Sequence, residues 1–463
     1  MRQNRSLTIF SPFTIAVIAM LPALLAWAYF GMIESPDSGG YLDYAQQIRT
    51  HSVPSGSALL HNAPGRISLF RIGGFPALLA LLQTLCSAGW RAALAVLQIA
   101  AQSAIAAASF AVALRLRARR DLAAVAALLP SIGYAAAATI FILTDALSAA
   151  AITGAALSLL LRPDWRGALL AGLPLGFATS FREATSYLVL AYIPLALFTR
   201  PRILCVALVL LPAWGVTGAQ IGWNISRGAG PVLTTSKQIV MVQALLPLIK
   251  DHIPVFADDP VFDAAARPTL DIAGYTLIDA FTDKLYAQGF TPVQIANEAS
   301  RDYAHTWRHF PLAMMEATIE NFRVNFLFMP ADPQDAIALI HIYKTGQRVD
   351  FNRLNVLWNQ TRAGSFWAGL ALILNVTLEL SGTIISLAGL AAPWLRRDAW
   401  QMRALWCVPV GLVGLYMPVH LEQRYLIPAV PLICILAALA ATRWLEMRHR
   451  QSPMNPRLSR VRA

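Results

Sequence analysis

The chain has 463 residues, 57% of them hydrophobic and 13% charged, with a mean hydropathy of +0.53. That is more apolar surface than a water-soluble core can bury, so composition excludes a soluble enzyme and predicts an all-α, polytopic transmembrane bundle of about 10–11 spans. The formal charge of +12 does not imply nucleic acid, because Lys and Arg stand in short clusters between apolar runs, which is an orientation pattern rather than a polyanion face.

In chain order, Met1 to Arg5 is followed by an apolar run to Gly31 that is too long for a cleaved secretory signal and predicts a retained first helix. Further spans are predicted near 91–113, 122–143, 146–161, 167–181, 184–199, 203–223, 366–392, 400–418 and 424–442. The apolar stretch Gly73 to Ala88 is read as re-entrant or surface-lying. With that choice Arg2, Arg5, Arg115 to Arg120, Arg162, Arg166, Arg200, Arg202, Arg396, Arg397 and Arg443 to Arg450 fall on one side, which the positive-inside rule makes cytoplasmic. Cys86, Cys205, Cys407 and Cys434 lie within or at the end of apolar runs without paired spacing, and imply neither a disulfide nor a metal.

The same orientation places Asp37, Asp43, Asp145, Arg182, Glu183, His420, Glu422 and Arg424 at outer helix ends or in outer loops. Charges at that depth need partners or water, and a shared outer cavity accounts for them together. Each also has a plainer explanation. Pro36 to Gly40 reads as a turn in which Asp37 or Ser38 caps a helix beginning at Tyr41, Thr144-Asp145 as an ordinary helix cap, and His420 to Arg424 as a polar loop. Arg182 and Glu183 are sequence neighbours that do not face each other on a helix, so they need separate partners.

Between 224 and 365 lies the longest polar region. Thr291-Pro292 is a helix start, and Ile295, Ala299, Tyr303 and Trp307 then recur at four-residue spacing. A second amphipathic helix is predicted from Pro311 to Pro330. Together these predict a small helical cap on the outer face, because no strand alternation and no nucleotide loop occur there. The chain has no Walker loop, no His-Glu-x-x-His and no Gly-x-Ser-x-Gly, so ATP-driven transport and the common hydrolase layouts have no support.

Several segments, in order, resemble one superfamily: the integral-membrane glycosyltransferases of the C-type fold, which include dolichyl-phosphate-mannose protein mannosyltransferases and bacterial lipid A aminoarabinose transferases. Pro36-Asp37-Ser38-Gly39-Gly40-Tyr41 resembles their first-loop acidic motif, and Arg71 to Leu79 the Arg and Pro-containing segment after it. Leu143 to Leu147 resembles their Thr-Glu-x-Leu segment with Asp145 in the acidic place. Gly172 to Arg182 resembles a Gly-rich helix ending in Arg, Tyr303 to Pro311 an aromatic helix, and Arg424 to Pro428 an Arg-Tyr-Leu-x-Pro helix start.

The resemblance implies transfer of a sugar from a polyprenyl-phosphate-linked donor to a lipid, glycan or protein acceptor on the outer face, with inversion and without nucleic acid. It implies Asp37 as general base, with Arg424, Arg182 and Lys237 on the donor phosphate and Asp145, Glu422, His420 and Tyr41 orienting groups or binding sugar. Some relatives use a divalent metal at the first-loop acid. Here a single Asp is followed by Ser, no ligand set emerges from spacing, and no metal residue is assigned. The expected organisation is a transmembrane module at 1–223 with a catalytic outer loop at 32–90, a helical outer region at 224–365, C-terminal spans at 366–445 and a basic cytoplasmic tail at 446–463. The expected location is a bacterial inner (plasma) membrane with both termini cytoplasmic. Two other readings stay open: an outer-face ligase or polymerase using a polyprenyl diphosphate, with Arg301, Arg308 and His309 in its chemistry, and a transporter or lipid-handling protein.

Overall fold

The computed structural model describes residues 10–256, 258–272, 276–326, 340, 344, 353–395 and 400–451. Expectations for Arg2, Arg5, Arg396, Arg397, the end of the Pro311 to Pro330 helix and the tail past 451 fall outside them. Among the described residues the chain is all-α, its only extended pairings being two isolated bridges. Five helical stretches are long and apolar enough to cross a membrane: Pro12–Phe30, Gly74–Arg115, Arg202–Ser226, Phe366–Trp394 and Ala429–Arg448. Asp145–Leu161 and Thr185–Ala196 are shorter apolar helical stretches.

The run expected as one span at 122–143 is broken. Helix Arg120–Leu128 gives way to a 3-10 turn at Leu129–Ser131 and a short helix at Tyr134–Ala138. Pro130 and Gly133 explain the break, since one lacks an amide donor and the other has little helix propensity. The chain then leaves the helix, and the Ile33 amide donates to the Ile140 carbonyl (2.8 Å) while the Ile142 amide donates to the Ile33 carbonyl (3.1 Å). This bridge fastens the exit of the first span to the segment leading into Asp145.

Two close approaches set the inner packing. A Cβ at Gly172 would lie 1.9 Å from the Leu208 carbonyl oxygen, so only glycine lets helix Trp165–Phe181 meet helix Arg202–Ser226 at this distance. A Cβ at Gly74 would lie 2.3 Å from the Ser180 hydroxyl, which seats the start of helix Gly74–Cys86 against the end of Trp165–Phe181. Arg71 is thereby delivered to the same end of the bundle as Arg182. The opposite end carries a separate basic group. Arg115 Nη1 donates to the Leu161 carbonyl (3.1 Å), the Arg119 amide to Thr442 Oγ1 (3.0 Å), and the backbones of Asp164 and Arg200 form an isolated parallel bridge.

Helices Lys237–Lys250, Pro260–Ala266, Thr276–Ala287, Pro292–His309 and Pro311–Phe326 share a core of their own around Leu245, Phe256, Phe262, Phe281, Leu285 and Ile295. The Thr291-Pro292 start is present with a full capping box, in which Thr291 Oγ1 accepts from the Gln294 amide and Gln294 reaches back to the Thr291 amide. Ile295 and Ala299 are buried, with Tyr303 and Trp307 packed beside them. Tyr303 donates to the Pro418 carbonyl (2.9 Å), which ties this cap to the loop carrying His420 and Glu422.

Asp302 on the same helix is buried, with Oδ2 lacking a hydrogen-bond partner. Burial pushes its carboxyl up to about 7, Asp259 adds to the shift and Arg301 opposes it. The folded cap therefore binds this proton more tightly than the unfolded chain, whose carboxyl titrates near 3.9. The contribution to stability is full at low pH and is lost as pH rises from about 4 to about 7. Asp302→Asn is expected to flatten that dependence and to relieve a cost on the order of 1–3 kcal/mol above pH ~7. Amide exchange across the cap at pH 5 and pH 8 checks it. A wild-type cap equally protected at both pH values would contradict it.

Candidate active site

Ser35 has extended backbone angles and Pro36 takes the first helical position, so the first-loop helix runs Pro36–Arg49. It begins five residues before Tyr41. Asp37 therefore lies in the first helical turn, where a carboxylate complements the helix dipole, and Gly39 and Gly40 are helical rather than a flexible turn. The Ser35 amide donates to Ser38 Oγ (2.9 Å), and that hydroxyl donates to the Ile142 carbonyl (2.9 Å). With the Ile33 bridge, these bonds fix the height and rotation of Asp37.

Asp37 is held from two sides. Arg71 Nη2 donates to Oδ1 at 2.6 Å, and Arg424 Nη1 donates to Oδ2 at 2.7 Å. Arg71 also donates to the Tyr41 hydroxyl (3.2 Å) and lies over the Tyr41 ring. Arg424 Nε is bonded to Glu422 Oε2, and Glu422 Oε1 meets His420 Nε2 at 2.7 Å. Burial alone pushes the Asp37 carboxyl up. The charges of Arg71 and then Arg424, with their hydrogen bonds, outweigh burial and hold it well below the usual carboxylate range. The Asp37 side chain remains 34% exposed, so a ligand can reach this pair.

A second pair lies alongside. Arg182 is bonded to Asp145, whose side chain is 3% exposed, and its Nε donates to Thr144 Oγ1 (3.1 Å). The guanidinium groups of Arg182 and Arg424 both lie over the Tyr425 ring, at 5.0 and 5.2 Å from its centroid, and Tyr416 stacks on Tyr425 at 4.7 Å. One aromatic ring thus offers its π electrons to two cations that repel each other. The Thr153 hydroxyl donates to the Pro428 carbonyl (2.9 Å) and holds this late segment against helix Asp145–Leu161.

Arg182 and Glu183 do have separate partners. Glu183 turns to the segment before helix Lys237–Lys250, where the Thr234 and Ser236 hydroxyls both donate to its carboxylate. Burial pushes this carboxyl up to about 7, while the Thr234 hydrogen bond, Arg71 and Lys237 pull it down. Lys237 is exposed and forms no salt bridge among the described residues.

Of the residues singled out from sequence, Asp37, Tyr41, Asp145, Arg182, His420, Glu422 and Arg424 converge at this end, with Lys237 beside Glu183. Asp43 does not join them. It faces a separate cavity of about 460 Å³ with Gln46, Gln47, Ser52 and Asn62. Arg71 and Tyr425 are site residues that the candidate set omitted, and Glu183, named among the outer charges, had been given no role there. Arg71 stood in the Arg-Ile-Gly-Gly-Phe-Pro segment, so a signal for it existed. No local signal ties Glu183 to Thr234 and Ser236.

Both Asp37 oxygens are taken by guanidinium groups, and among the described residues no three His, Cys, Asp or Glu side chains gather as a ligand set.

No protein-family model matches the chain, and no curated protein matches it. Among solved structures it is similar to the Archaeoglobus fulgidus oligosaccharyltransferase. The apo crystal structure is 13% identical, with 97% of this chain and 52% of that one covered and a TM-score of 0.45. The zinc and sulfate complex is 14% identical, with 94% and 50% covered and a TM-score of 0.44. The archaeal oligosaccharyltransferase AglB with an inhibitory peptide and a dolichol-phosphate is 14% identical, with 95% and 51% covered and a TM-score of 0.45. The chain spans about half the length of the chains it matches.

Asp145→Asn leaves the Arg182 guanidinium, only 14% exposed, without its counter-charge and is expected to cost about 3–5 kcal/mol. Glu34→Gln breaks the exposed pair with Arg91 and is expected to cost under about 1 kcal/mol. Thermal unfolding of the two variants in detergent separates them. Equal losses would mean that the Arg182–Asp145 pair is solvated in solution.

Proposed function

We propose that this chain is an integral-membrane glycosyltransferase that moves a sugar from a polyprenyl-phosphate-linked donor to a lipid, glycan or protein acceptor at the outer face of a bacterial inner (plasma) membrane. The observation that supports it most is a half-exposed carboxylate shared by Arg71 and Arg424 at one end of an apolar helical bundle. The order of sequence motifs shared with C-type glycosyltransferases agrees with it. Orientation rests on the basic group at the opposite end, which the positive-inside rule assigns to the cytoplasm with both termini.

The chemistry follows from the charges. A phosphodiester entering from the bilayer side is an anion that competes with Asp37 for Arg424, because a guanidinium fork suits two phosphate oxygens as well as two carboxylate oxygens. While both guanidinium groups hold it, Asp37 is too weak a base to accept a proton readily. Transfer of Arg424 to the phosphate removes one of the two charges that depress Asp37, and its basicity rises as the donor arrives. Asp37 then takes the proton of the acceptor hydroxyl. That oxygen bonds to the anomeric carbon as the carbon–oxygen bond to phosphate breaks, and the bonding pair leaves on the polyprenyl phosphate. Attack opposite the leaving group inverts the anomeric centre. Arg424, Arg182 and Lys237 offset the extra charge on the leaving phosphate, while Glu422 and His420 orient Arg424, and Asp145 orients Arg182. Tyr41, buried beside Arg71, orients that guanidinium through its hydroxyl and its ring. No step needs a metal ion.

The ligase reading draws no comparable support. Arg301 is 64% exposed and bonded to Glu298 and Asp259 on the cap, and His305 meets Asp258 at 3.1 Å, as expected of a solvated charged face.

Asp37→Asn keeps the shape of the side chain but removes the base. Transfer of labelled sugar from polyprenyl-phosphate pools is expected to fall by about 10²- to 10⁴-fold, at wild-type expression and folding. Undiminished transfer would move the chemistry away from the first loop. Movement of lipid or solute without transfer, in wild type and variant alike, would support a transporter.

A further inference from the structure

Among the described residues Glu183 has no guanidinium partner, unlike the three carboxylates around it. Asp37 is shared by Arg71 and Arg424, Asp145 pairs with Arg182, and Glu422 joins Arg424 to His420. Glu183 instead takes the hydroxyls of Thr234 and Ser236, one on each oxygen. These flank Thr235, whose amide donates to the Leu69 carbonyl (3.0 Å). Upstream, Asn224 Nδ2 donates to the Val232 and Leu233 carbonyls (2.9 Å each) and Arg227 Nη1 to Ser68 Oγ (3.0 Å). The segment from 224 to 236 is thus laced to helix Ala63–Phe70 on one side and to Glu183 on the other, and it ends at Lys237. Glu183 decides where that exposed lysine stands.

Charge bookkeeping adds a second role. Arg71, Arg182 and Arg424 are paired with Asp37, Asp145 and Glu422, Lys237 lies near Glu183, and Asp279 on the cap adds a further carboxyl that feels the charge of Asp37. A bound phosphodiester brings one more negative charge. The carboxylates paired with guanidinium groups are poor sites for a compensating proton, because each is stabilised in its charged form. Glu183 is held only by neutral hydroxyls, with Arg71, Lys237 and the Tyr416 phenol as the titratable and charged groups felt across its contacts.

We propose that Glu183 is a positioning residue that sets Lys237 beside Arg71 for anion binding, and that it takes up a proton when a phosphodiester occupies the site. This rests on the donor-phosphate reading above and adds a proton to the binding step. Its place near neutrality fits the role, since burial brings the carboxyl up from its ordinary acidic range to about 7. The sign follows directly. Protonated Glu183 removes a negative charge next to the ligand, so affinity is highest below about pH 7 and falls as pH rises through it.

The test uses the full chain in lipid nanodiscs and farnesyl methyl phosphate, a phosphodiester whose single charge is constant across the neutral range. Dissociation constants are measured from about pH 6 to about pH 8. Wild type is expected to weaken about five- to tenfold over that interval, with proton uptake seen as a buffer-dependent heat of binding. Glu183→Gln is expected to bind with the affinity of low-pH wild type at every pH and without proton uptake. Thr234→Val with Ser236→Ala frees Lys237 and is expected to weaken binding about three- to tenfold at all pH values. A slope that survives in Glu183→Gln assigns the proton elsewhere and overturns the proposal; so does a flat wild-type profile. Absence of binding in every protein at every pH contradicts the donor-phosphate reading itself, and the inference falls with it.

Discussion

The Asp37 carboxylate is shared between guanidinium groups that lie 34 and 387 residues away in the chain, and this double contact closes one end of the bundle. The first-loop helix, the segment before Gly74 and the loop before the last span could each settle against the bundle in several ways if only apolar packing directed them, because dispersion and burial are not directional. Fixed ion-pair geometry selects one arrangement. The Ser38–Ile142 bond, the Ile33 bridge, the Gly74–Ser180 contact and the Thr153–Pro428 bond then hold the backbones that carry the charges. The outcome is an end of the molecule whose guanidinium groups are each already paired with a carboxylate, so that an arriving anion must compete for one of them.

That arrangement has a thermodynamic consequence for function. A carboxylate stabilised by two cations is well folded but weakly basic, and the same contacts that secure the loop suppress its reactivity. A ligand that takes one cation reverses this balance at the moment when basicity is useful. In the proposed transfer the donor thereby acts as its own trigger. Tyr425, in cation–π contact with both Arg182 and Arg424, favours both cations at this end despite their repulsion.

Much of the architecture was legible in the sequence because it follows from local periodicity. The apolar runs, the Thr291 cap and the Ile295, Ala299, Tyr303 and Trp307 stripe are all short-range patterns, and the described helices follow them. The start of the first-loop helix was misplaced by five residues, since Gly39 and Gly40 suggest a turn while Ser35 and Pro36, the true start, look like loop. The run 122–143 concealed its break because Pro130 and Gly133 sit in strongly apolar surroundings. The charged positions of the site could be named, but their partners could not. Nothing within a few residues of Asp37 indicates that Arg71 and Arg424 will share it, and Glu183 meets hydroxyls more than fifty residues on. Polar residues at helix ends advertise a need for partners, and only tertiary structure supplies them.

The most direct measurement is a cryo-electron-microscopy structure of the chain with a non-hydrolysable polyprenyl phosphosugar. The account predicts phosphate oxygens within hydrogen-bond reach of Arg424, the Arg424–Asp37 contact opened from 2.7 Å and the Arg71–Asp37 contact retained. A phosphate bound elsewhere with both contacts of Asp37 intact would contradict it.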